Sequence, residues 1–348
     1  MAADDPLLAS PGNVAVPTPA WELTYKGRNI TQAIAPDVLS IVYTDALQGE
    51  SDSLELTLTH VPAGVGRAPR WMDSWFPEKG DRLTLRFGYR DRALLEAGTF
   101  EIDEPEFTGP PDQVTLKALA ALVSPTLRTV RHTAYEDQTL AEIAGAVAKR
   151  HGLTMVGTIN PSVRVARVTQ TAERDLQFLK RVGATYGYVF SVKGTSLVFH
   201  ERTALEAAGV VRTITRTDVG RYALSVKTQG TYAACEVSYN DPRANQVRKA
   251  TVRSSVISRG DTLKKFGHCD SDADADRQAR AALAAANAHR IEGSLELPGD
   301  PRCCAGSAID LAGFGRLTGK YLIHKATHRD DKGAGYMTSI EVQRAGQL

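Results

Sequence analysis

The chain has 348 residues, of which 42% are hydrophobic, and this is enough for two or three domains with apolar cores. Its 42 lysines and arginines nearly balance 40 aspartates and glutamates, so the net charge of +2 argues against a general nucleic-acid-binding or anionic-membrane-binding protein. The sequence has neither a basic, apolar leader nor an apolar run of roughly 18 residues, which predicts a protein made in the cytoplasm without stable membrane insertion.

The first third of the chain has the pattern of β-strands. Residues 1–19 carry no hydrophobic period and predict a flexible N-terminal arm. Over residues 20–122, apolar residues alternate with polar ones, as at Leu54, Leu56 and Leu58, and glycine-containing turns separate the runs. We expect this segment to form a first tube-like β-barrel domain, with a β-sandwich as the alternative.

An insertion at residues 67–77 interrupts the strand rhythm and carries three aromatic side chains, those of Trp71, Trp75 and Phe76. Two interpretations are open. Either the loop folds over one end of the barrel, or the aromatic side chains form an exposed patch that contacts a partner. We expect the first arrangement.

Residues 123–204 change period and predict a small α/β insert domain. Thr139 and Glu142 have the spacing of a capping box, and they precede an apolar stripe at helical spacing. A second helix is predicted to begin near Thr171 and to end before Gly187, with a hairpin directly after it.

The remaining residues, 205–348, return to strand patterns and predict a second tube-like β-barrel domain. Within it, the alanine-rich segment 272–289 has acidic residues at its start and predicts a helix. The predicted fold class is therefore mainly β with an α/β insert (α+β), in which two β-barrel domains flank the insert.

A strand pattern occurs twice in the chain. Each copy reads Gly-polar-x-apolar-x-apolar, then Gly-x-aromatic-x-Ile, and closes with another alternating strand. The first copy occupies residues 80–85, 98–102 and 114–117, and the second occupies residues 306–311, 319–323 and 338–342. Two similar β-domains per chain let a three-fold oligomer present six similar surfaces, which is the geometry of a symmetry adaptor.

The residues that could carry catalysis form no recognisable set. Carboxylates cluster at Glu101, Asp103, Glu104 and Glu106, and a glycosidase needs a pair of them, but nothing in the sequence fixes their separation. The sequence contains no Gly-rich phosphate loop, nucleophile elbow or Cys/His nucleophile signature. We predict that the chain is not an enzyme and assign no catalytic residue.

Two groups could suggest a metal site. The acidic run at 272–276 begins like a calcium loop, but Arg277 and Leu283 stand where that loop needs glycine and a bidentate glutamate. His324 and His328 could share one face of a strand but lack a third ligand. We predict neither a metal site nor a cofactor.

The cysteines and the basic residues have ordinary interpretations. Cys303 and Cys304 are adjacent, and adjacent cysteines bond only through a strained ring, so we expect reduced thiols. Arg243, Arg248 and Lys249 are mixed with acidic residues and are typical of solvated surface. We therefore expect no sequence-specific contact with nucleic acid.

Several longer phrases occur in a particular order along the chain. They lie at residues 139–144, 151–153, 173–188, 197–199, 319–328 and 335–338. In this order they resemble the late control protein D family of contractile-tailed phages, whose members are tail or baseplate hub proteins. Type VI secretion spike proteins are similar to this family in their N-terminal part.

The resemblance implies a homotrimer in which two barrels per chain form a pseudo-six-fold ring in the baseplate of the virion tail. The implied partners are the central tail spike protein, the tail tube protein or a tube initiator, other baseplate proteins, and a tape measure protein in the lumen. Because the sequence ends at Leu348 without a β-helical needle, we expect the spike to be a separate chain.

Two functions from other classes remain as alternatives. The first is a tail-associated cell-wall hydrolase. The second is a glycan-binding or receptor-binding tail module, which would use an exposed patch of Trp71, Trp75 and Phe76.

Overall fold

The computed structural model describes residues 17–48, 51–59, 70–72, 74–78, 80–120, 129–241 and 244–346. The predicted N-terminal arm lies almost entirely outside these ranges. The fold is mainly β, as predicted, and none of the described helices is long and apolar enough to cross a bilayer. The strands are β1 (Pro19–Tyr25), β2 (Arg28–Asn29), β3 (Val38–Ala46), β4 (Ser53–Thr59), β5 (Arg82–Tyr89), β6 (Leu95–Thr108), β7 (Gln113–Ala120), β8 (Val130–Thr139), β9 (Thr154–Val156), β10 (Arg164–Arg174), β11 (Tyr188–Lys193), β12 (Ser196–Glu201), β13 (Val210–Thr215), β14 (Arg221–Val226), β15 (Tyr232–Asp241), β16 (Gln246–Arg253), β17 (Asp261–Phe266), β18 (Ile291–Pro298), β19 (Ala308–Ala312), β20 (Gly319–Asp331) and β21 (Gly335–Arg344). The helices are α1 (Thr31–Ile34), α2 (Leu140–Arg150), α3 (Asp175–Tyr186), α4 (Arg202–Ala207) and α5 (Asp272–Asn287).

Six strands from the first third of the chain form one group, which we call the first β-unit. They lie in the order β1-β5-β6-β7-β4-β3, and each neighbouring pair is antiparallel. The alternating leucines of β4, Leu54, Leu56 and Leu58, point into the core of this unit and are at most 1% exposed. The alternation predicted this strand because successive side chains point to opposite faces of a sheet.

Six later strands form a second β-unit with the same order. They lie as β13-β19-β20-β21-β18-β14 around a core of their own. The chain also passes through the two units in the same sequence, so β1, β3, β4, β5, β6 and β7 correspond to β13, β14, β18, β19, β20 and β21. The units differ in one pairing, because β1 is antiparallel to β5 whereas β13 is parallel to β19.

The two β-units agree in register as well as in order. Leu83 lies opposite Phe100 in the first unit, and Ile309 lies opposite Tyr321 in the second. In both units an isoleucine stands two positions after the aromatic residue. Directly after this isoleucine, the ladder of β6 with β7 and that of β20 with β21 shift their register. The duplication predicted from the sequence is thereby confirmed at the level of individual residue pairs.

The glycines of the repeated pattern are explained by backbone conformation. Gly80 and Gly306, which open the two copies, have φ values of 91° and 87°. Gly98 and Gly319, which follow the turn in each copy, have φ values of 112° and 137°. L-residues with a side chain rarely adopt these angles, so both turns require glycine at the same two places.

The α/β insert lies between the two β-units in the chain, and its first helix forms as predicted. Thr139 Oγ1 accepts a hydrogen bond from the Glu142 N–H (3.2 Å), and the Glu142 carboxylate accepts one from the Thr139 N–H (2.7 Å), which is a complete capping box. The predicted start of the second helix near Thr171 is wrong, because β10 continues through a bulge there and α3 begins only at Asp175. Its predicted end before Gly187 is confirmed.

A further sheet is inserted between β14 and β18. Its strand order is β16-β15-β17, and α5 packs on it to make a separate core. The predicted helix at 272–289 is confirmed as α5, and Ser271 caps it by accepting the N–H of Asp274 (3.2 Å).

Candidate assembly interface

The two β-units meet edge to edge. Residues 325–331 of β20 pair antiparallel with residues 40–46 of β3, and we call this pairing the junction ladder. It merges the units so that, within the described ranges, thirteen strands belong to one sheet. The first part of β20 pairs with β19 inside its own unit, and the later part pairs with β3 of the other unit. One long strand therefore joins the two repeats.

His328 lies within the junction ladder, directly opposite Tyr43. Its ring stacks on that of Tyr43, with centroids 6.0 Å apart, and its centroid lies 4.8 Å from that of Phe87. Its Nδ1 atom lies 2.9 Å from the Tyr336 Oη and 3.2 Å from the Thr338 Oγ1. Burial lowers the pKa of His328 to about 4, so the ring is neutral at pH 7. This cluster takes side chains from both β-units.

A second group of polar side chains joins the α/β insert to the first β-unit. The Lys193 ammonium, on the β11–β12 hairpin, contacts the Asp45 carboxylate and lies 3.1 Å from the Asp52 Oδ2. Asp52 also accepts the N–H of Ala46 (3.1 Å), and Asp45 accepts the N–H of Ala305 from the second β-unit (2.8 Å). The ion pairs therefore join the insert to the first β-unit, and the hydrogen bond from Ala305 links the second β-unit to the same group.

The charges of this group depend on one another. Burial disfavours the ammonium form of Lys193, but the neighbouring carboxylates of Asp45 and Asp52 outweigh that cost and raise the pKa of Lys193. Burial raises the pKa of Asp52, and the charge of Lys193 opposes that rise. Removing the ammonium would leave two buried carboxylates without their cation.

Apolar side chains fill the same junction. Leu47 follows β3, Val189 lies on β11 and Leu322 lies on β20, and these three form one buried cluster against which Leu205 and Ala305 also pack. Each of the three parts of the chain thus supplies one of the buried side chains. The cluster makes the position of the insert depend on both β-units.

The loop between β18 and β19 adds polar contacts. Tyr89 Oη donates to the Gly299 carbonyl (2.6 Å), which links the first unit to the second. Next to it, buried Asp300 accepts from Arg212 (2.9 Å) and from Arg302 (2.8 Å). Burial opposes ionisation of Asp300, but these hydrogen bonds outweigh it and lower its pKa.

In the described part of the chain, two open strand edges lie on β14 and β6, in addition to those of β2, β13 and the smaller sheets. β14 ends the sheet, and residues 104–108 of β6 pair with β7 on one side and with no described strand on the other. On β14, Tyr222 is 41% exposed and Val226 is 50% exposed. On β6, the exposed Glu106 forms an ion pair with Lys117 (3.0 Å). Open strand edges with exposed apolar side chains are sites where another chain can pair.

The aromatic loop is largely folded onto the first β-unit. Trp71 is buried, Trp75 packs partly against the same core, and their rings lie 5.5 Å apart beside Tyr25. Phe76 is exposed and stacks on Phe107 of β6, with centroids 5.9 Å apart. The three aromatic side chains therefore do not form the single exposed patch that a glycan-binding site would need.

The other candidate groups have ordinary surroundings. Cys303 and Cys304 are free thiols, and burial raises the pKa of each to about 12, so both are protonated and unreactive at neutral pH. Asp272, from the acidic run, accepts hydrogen bonds from Arg248 (3.0 Å) and Tyr239 (2.5 Å). Of the basic residues, Arg243 lies outside the described residues, and Lys249 forms a surface pair with Glu236.

Sequence reasoning missed the group of Lys193, Asp45 and Asp52. Lys193 stands at a predicted turn, where a lysine is unremarkable, and the two aspartates lie at the end of one strand and just before the next. Their only sequence signal is an aspartate at a position that the alternation of β3 assigns to the core. The partners are brought together by the tertiary fold, which local patterns do not report.

Comparison with known proteins agrees with this architecture. The family described as phage tail baseplate hub (GPD) matches residues 96–333. A probable baseplate hub protein of Escherichia phage 186 is 30% identical over 243 residues, which are 68% of this chain and 60% of that protein. The chain therefore spans about three fifths of the length of this relative.

Solved structures show the same fold at low identity. The 43 kDa tail protein of prophage MuSo2 from Shewanella oneidensis has a TM-score of 0.70 at 16% identity, covering 94% of this chain and 98% of that one. A component of the Escherichia coli type VI secretion system has a TM-score of 0.54 at 14% identity, covering 88% of this chain and 73% of that one. With the family match over more than half of its length, the chain belongs to the phage tail baseplate hub family, whose members are parts of the virion tail.

Proposed function

We propose that this protein is the structural adaptor at the centre of a contractile tail, where three copies form a ring of six β-units. The observation that carries the proposal is the repeat, because two units with the same strand order and register occur in each chain. A three-fold assembly of such chains presents a nearly six-fold face, and its true symmetry is three-fold. It can therefore join a six-fold tube to a three-fold spike.

The proposed partners follow from that position. The six-fold face contacts the tail tube protein or a tube initiator, and the three-fold face contacts the central spike protein. Other baseplate proteins surround the ring, and a tape measure protein occupies its lumen. The likeness to a type VI secretion component and to a prophage tail protein supports a place in an injection assembly.

The proposal includes no catalytic activity. Two of the four carboxylates that could have served a hydrolase, those of Glu104 and Glu106, form ion pairs with Lys117 on the sheet surface. Strand edges and packed faces carry the function, and loss of assembly is the expected consequence of damaging them.

The native mass of the purified protein tests this proposal. Light scattering on a sizing column, with the protein alone and co-expressed with the neighbouring spike candidate, should give a species that contains three copies of the chain. A stable monomer in both preparations would contradict the trimeric hub. Loss of turbidity in a cell-wall suspension would support the hydrolase instead.

A further inference from the structure

The repeat allows the open edge of β6 to be compared with its paired counterpart. Phe100 and Tyr321 hold the same place in the two units, and both ladders shift register at the same point beyond them. Residues 104–108 of β6 therefore correspond to residues 325–329 of β20. The second stretch is paired with β3 in the junction ladder, and the first faces no described strand.

The open edge of β14 has a paired counterpart too. Tyr43 of β3 lies opposite Leu54, and Leu224 of β14 lies opposite Gly293. Leu54 and Gly293 occupy the same place in the two units, because their partners on β7 and β21 correspond. Residues 42–46 of β3 therefore correspond to residues 223–227, and the first stretch is the one that pairs with β20.

We propose that the junction ladder is repeated between copies of this chain. Residues 104–108 of one copy pair antiparallel with residues 223–227 of a second copy, so that Glu104 lies opposite Lys227 and Phe107 lies opposite Leu224. This inference rests on the proposed self-assembly and adds the surface and the register. Each copy offers one edge of each kind, so the contact is heterologous and propagates around a ring.

The backbone groups of the two open edges support this register. The Leu47 N–H donates to the His324 carbonyl (2.9 Å), which places alternate residues of the junction ladder in hydrogen-bonded pairs. On β14, the Lys227 N–H donates to Arg290 (2.7 Å), so the backbone groups of Val226 and Leu224 face the open edge.

On the first unit, the Ala120 N–H donates to the Asp52 carbonyl (2.8 Å), and Ala120 therefore faces β4. The backbone N–H and C=O groups of successive residues in a strand point alternately to its two neighbours. When this alternation is applied along β7 and then to its ladder with β6, the backbone groups of Pro105 and Phe107 face the open edge. In the proposed register they meet those of Val226 and Leu224. A shift by one residue would bring together residues whose backbone groups point apart.

The side chains of the two edges also match face by face. Phe107 and Leu224 are both half-buried on the core side of their units, and exposed Val226 would be covered by Pro105. On the opposite face the acidic Glu104 meets Lys227. Opposite charges placed directly across an antiparallel pair are stabilising.

Pro105 makes the edge selective. It has no N–H, so the proposed ladder has one donor fewer than the junction ladder has at Ala326, although the proline carbonyl still accepts from Val226. Proline on an edge strand discourages pairing with unrelated strands. The edge is thus suited to a partner that supplies additional side-chain contacts.

Interchain disulfide formation tests the register. Glu106 and Ser225 are exposed, and in the proposed ladder they form a non-hydrogen-bonded pair with Cα atoms about 4.5 Å apart, within reach of a disulfide. The double variant Glu106→Cys with Ser225→Cys is expected to give covalently linked multimers under mild oxidation. These should be visible on a non-reducing denaturing gel and disappear on reduction.

A matched pair of cysteines out of register is the control. Glu104→Cys with Ala223→Cys places the thiols four residues apart along the strands, about 13 Å, and should not cross-link. The unmodified protein controls for its native cysteines, of which Cys304 alone among the four is not fully buried.

The native mass of the same samples, alone and with the spike candidate, separates the two proposals. Trimers with cross-links only in the first variant support both of them. Trimers without those cross-links, or with equal cross-linking in the control, overturn the register and leave the hub standing. Monomers without cross-links in either preparation overturn both proposals.

Discussion

His328 of the second β-unit stacks on Tyr43 of the first, with ring centroids 6.0 Å apart and ring planes 14° apart. Because the two residues are also direct partners in the junction ladder, backbone pairing and aromatic packing coincide at this point. The contact buries the imidazole of His328 away from water. Because burial disfavours the protonated form of the ring, we expect the joined units to be sensitive to acid.

The first prediction concerns that sensitivity. An unfolded histidine takes up a proton near pH 6.5, whereas buried His328 does so only near pH 4. Between these values the unfolded state binds more protons than the folded state does. The contribution of His328 to the free energy of unfolding is therefore fully present above about pH 6.5. It is lost as the pH falls towards 4, and the total loss is about 3 kcal/mol. Urea denaturation at about pH 7 and about pH 4.5 measures the loss.

A variant isolates the contribution of this residue. His328→Gln cannot titrate, so its stability should fall less between the two pH values than that of the unmodified protein. His132→Gln, at an exposed histidine, should keep the original pH dependence. Equal pH dependence in the unmodified protein and in His328→Gln would show that His328 is not the sensor.

The second prediction concerns the buried ion pairs. Lys193→Met removes the cation between Asp45 and Asp52 and should destabilise the protein by about 3 kcal/mol, because two carboxylates stay buried and unpaired. The free energy of unfolding from urea denaturation is the measurement. Adding Asp52→Asn to Lys193→Met should restore part of the loss.

Lys249→Met is the matched control, since it removes a lysine from an exposed pair with Glu236. It should change stability little. A similar small effect for Lys193→Met would mean that water screens the buried group as well.

The third prediction concerns β14. A Cβ atom on Gly293 would lie 2.1 Å from the Ala223 carbonyl oxygen, and that oxygen belongs to β14. Gly293→Ala should therefore push β14 out of line and reduce self-association, measured by light scattering over a dilution series. Gly145→Ala, in α2, meets nothing within 4 Å and should leave assembly unchanged. Undiminished assembly of Gly293→Ala would exclude β14 from the interface.

The fourth prediction concerns charge across the proposed ladder. Glu104→Lys and Lys227→Glu each place like charges opposite one another and should weaken assembly several-fold, whereas the double exchange should recover much of it. Each residue also has a partner in its own chain, Lys117 and Glu292, so the recovery is the informative result. Strictly additive losses in the double variant would argue against direct pairing. Glu136→Lys, at a distant exposed ion pair, is the control.

The sequence predicted the features that depend on local order. The repeated Gly-x-aromatic-x-Ile pattern located corresponding strands because alternation and turn glycines are encoded within a few residues. The helix after Thr139 was equally accessible, since its capping box is complete within four residues.

The features that the sequence missed depend on distant partners. The region after Thr171 has helix-like signals, but pairing with β8 holds it as a strand until Asp175. Lys193 has no local mark of burial, because its two carboxylates come from a segment far away in the chain. The pairing of β3 with β20 likewise depends on how the two β-units pack together.

In the proposed assembly, three chains close into one ring of six β-units. Electron microscopy of the purified assembly, with class averages computed without imposed symmetry, tests it most directly. We expect a closed ring with six similar lobes around an open lumen and true three-fold symmetry. Particles with only the two lobes of a single chain, or rings with another number of lobes, would contradict it.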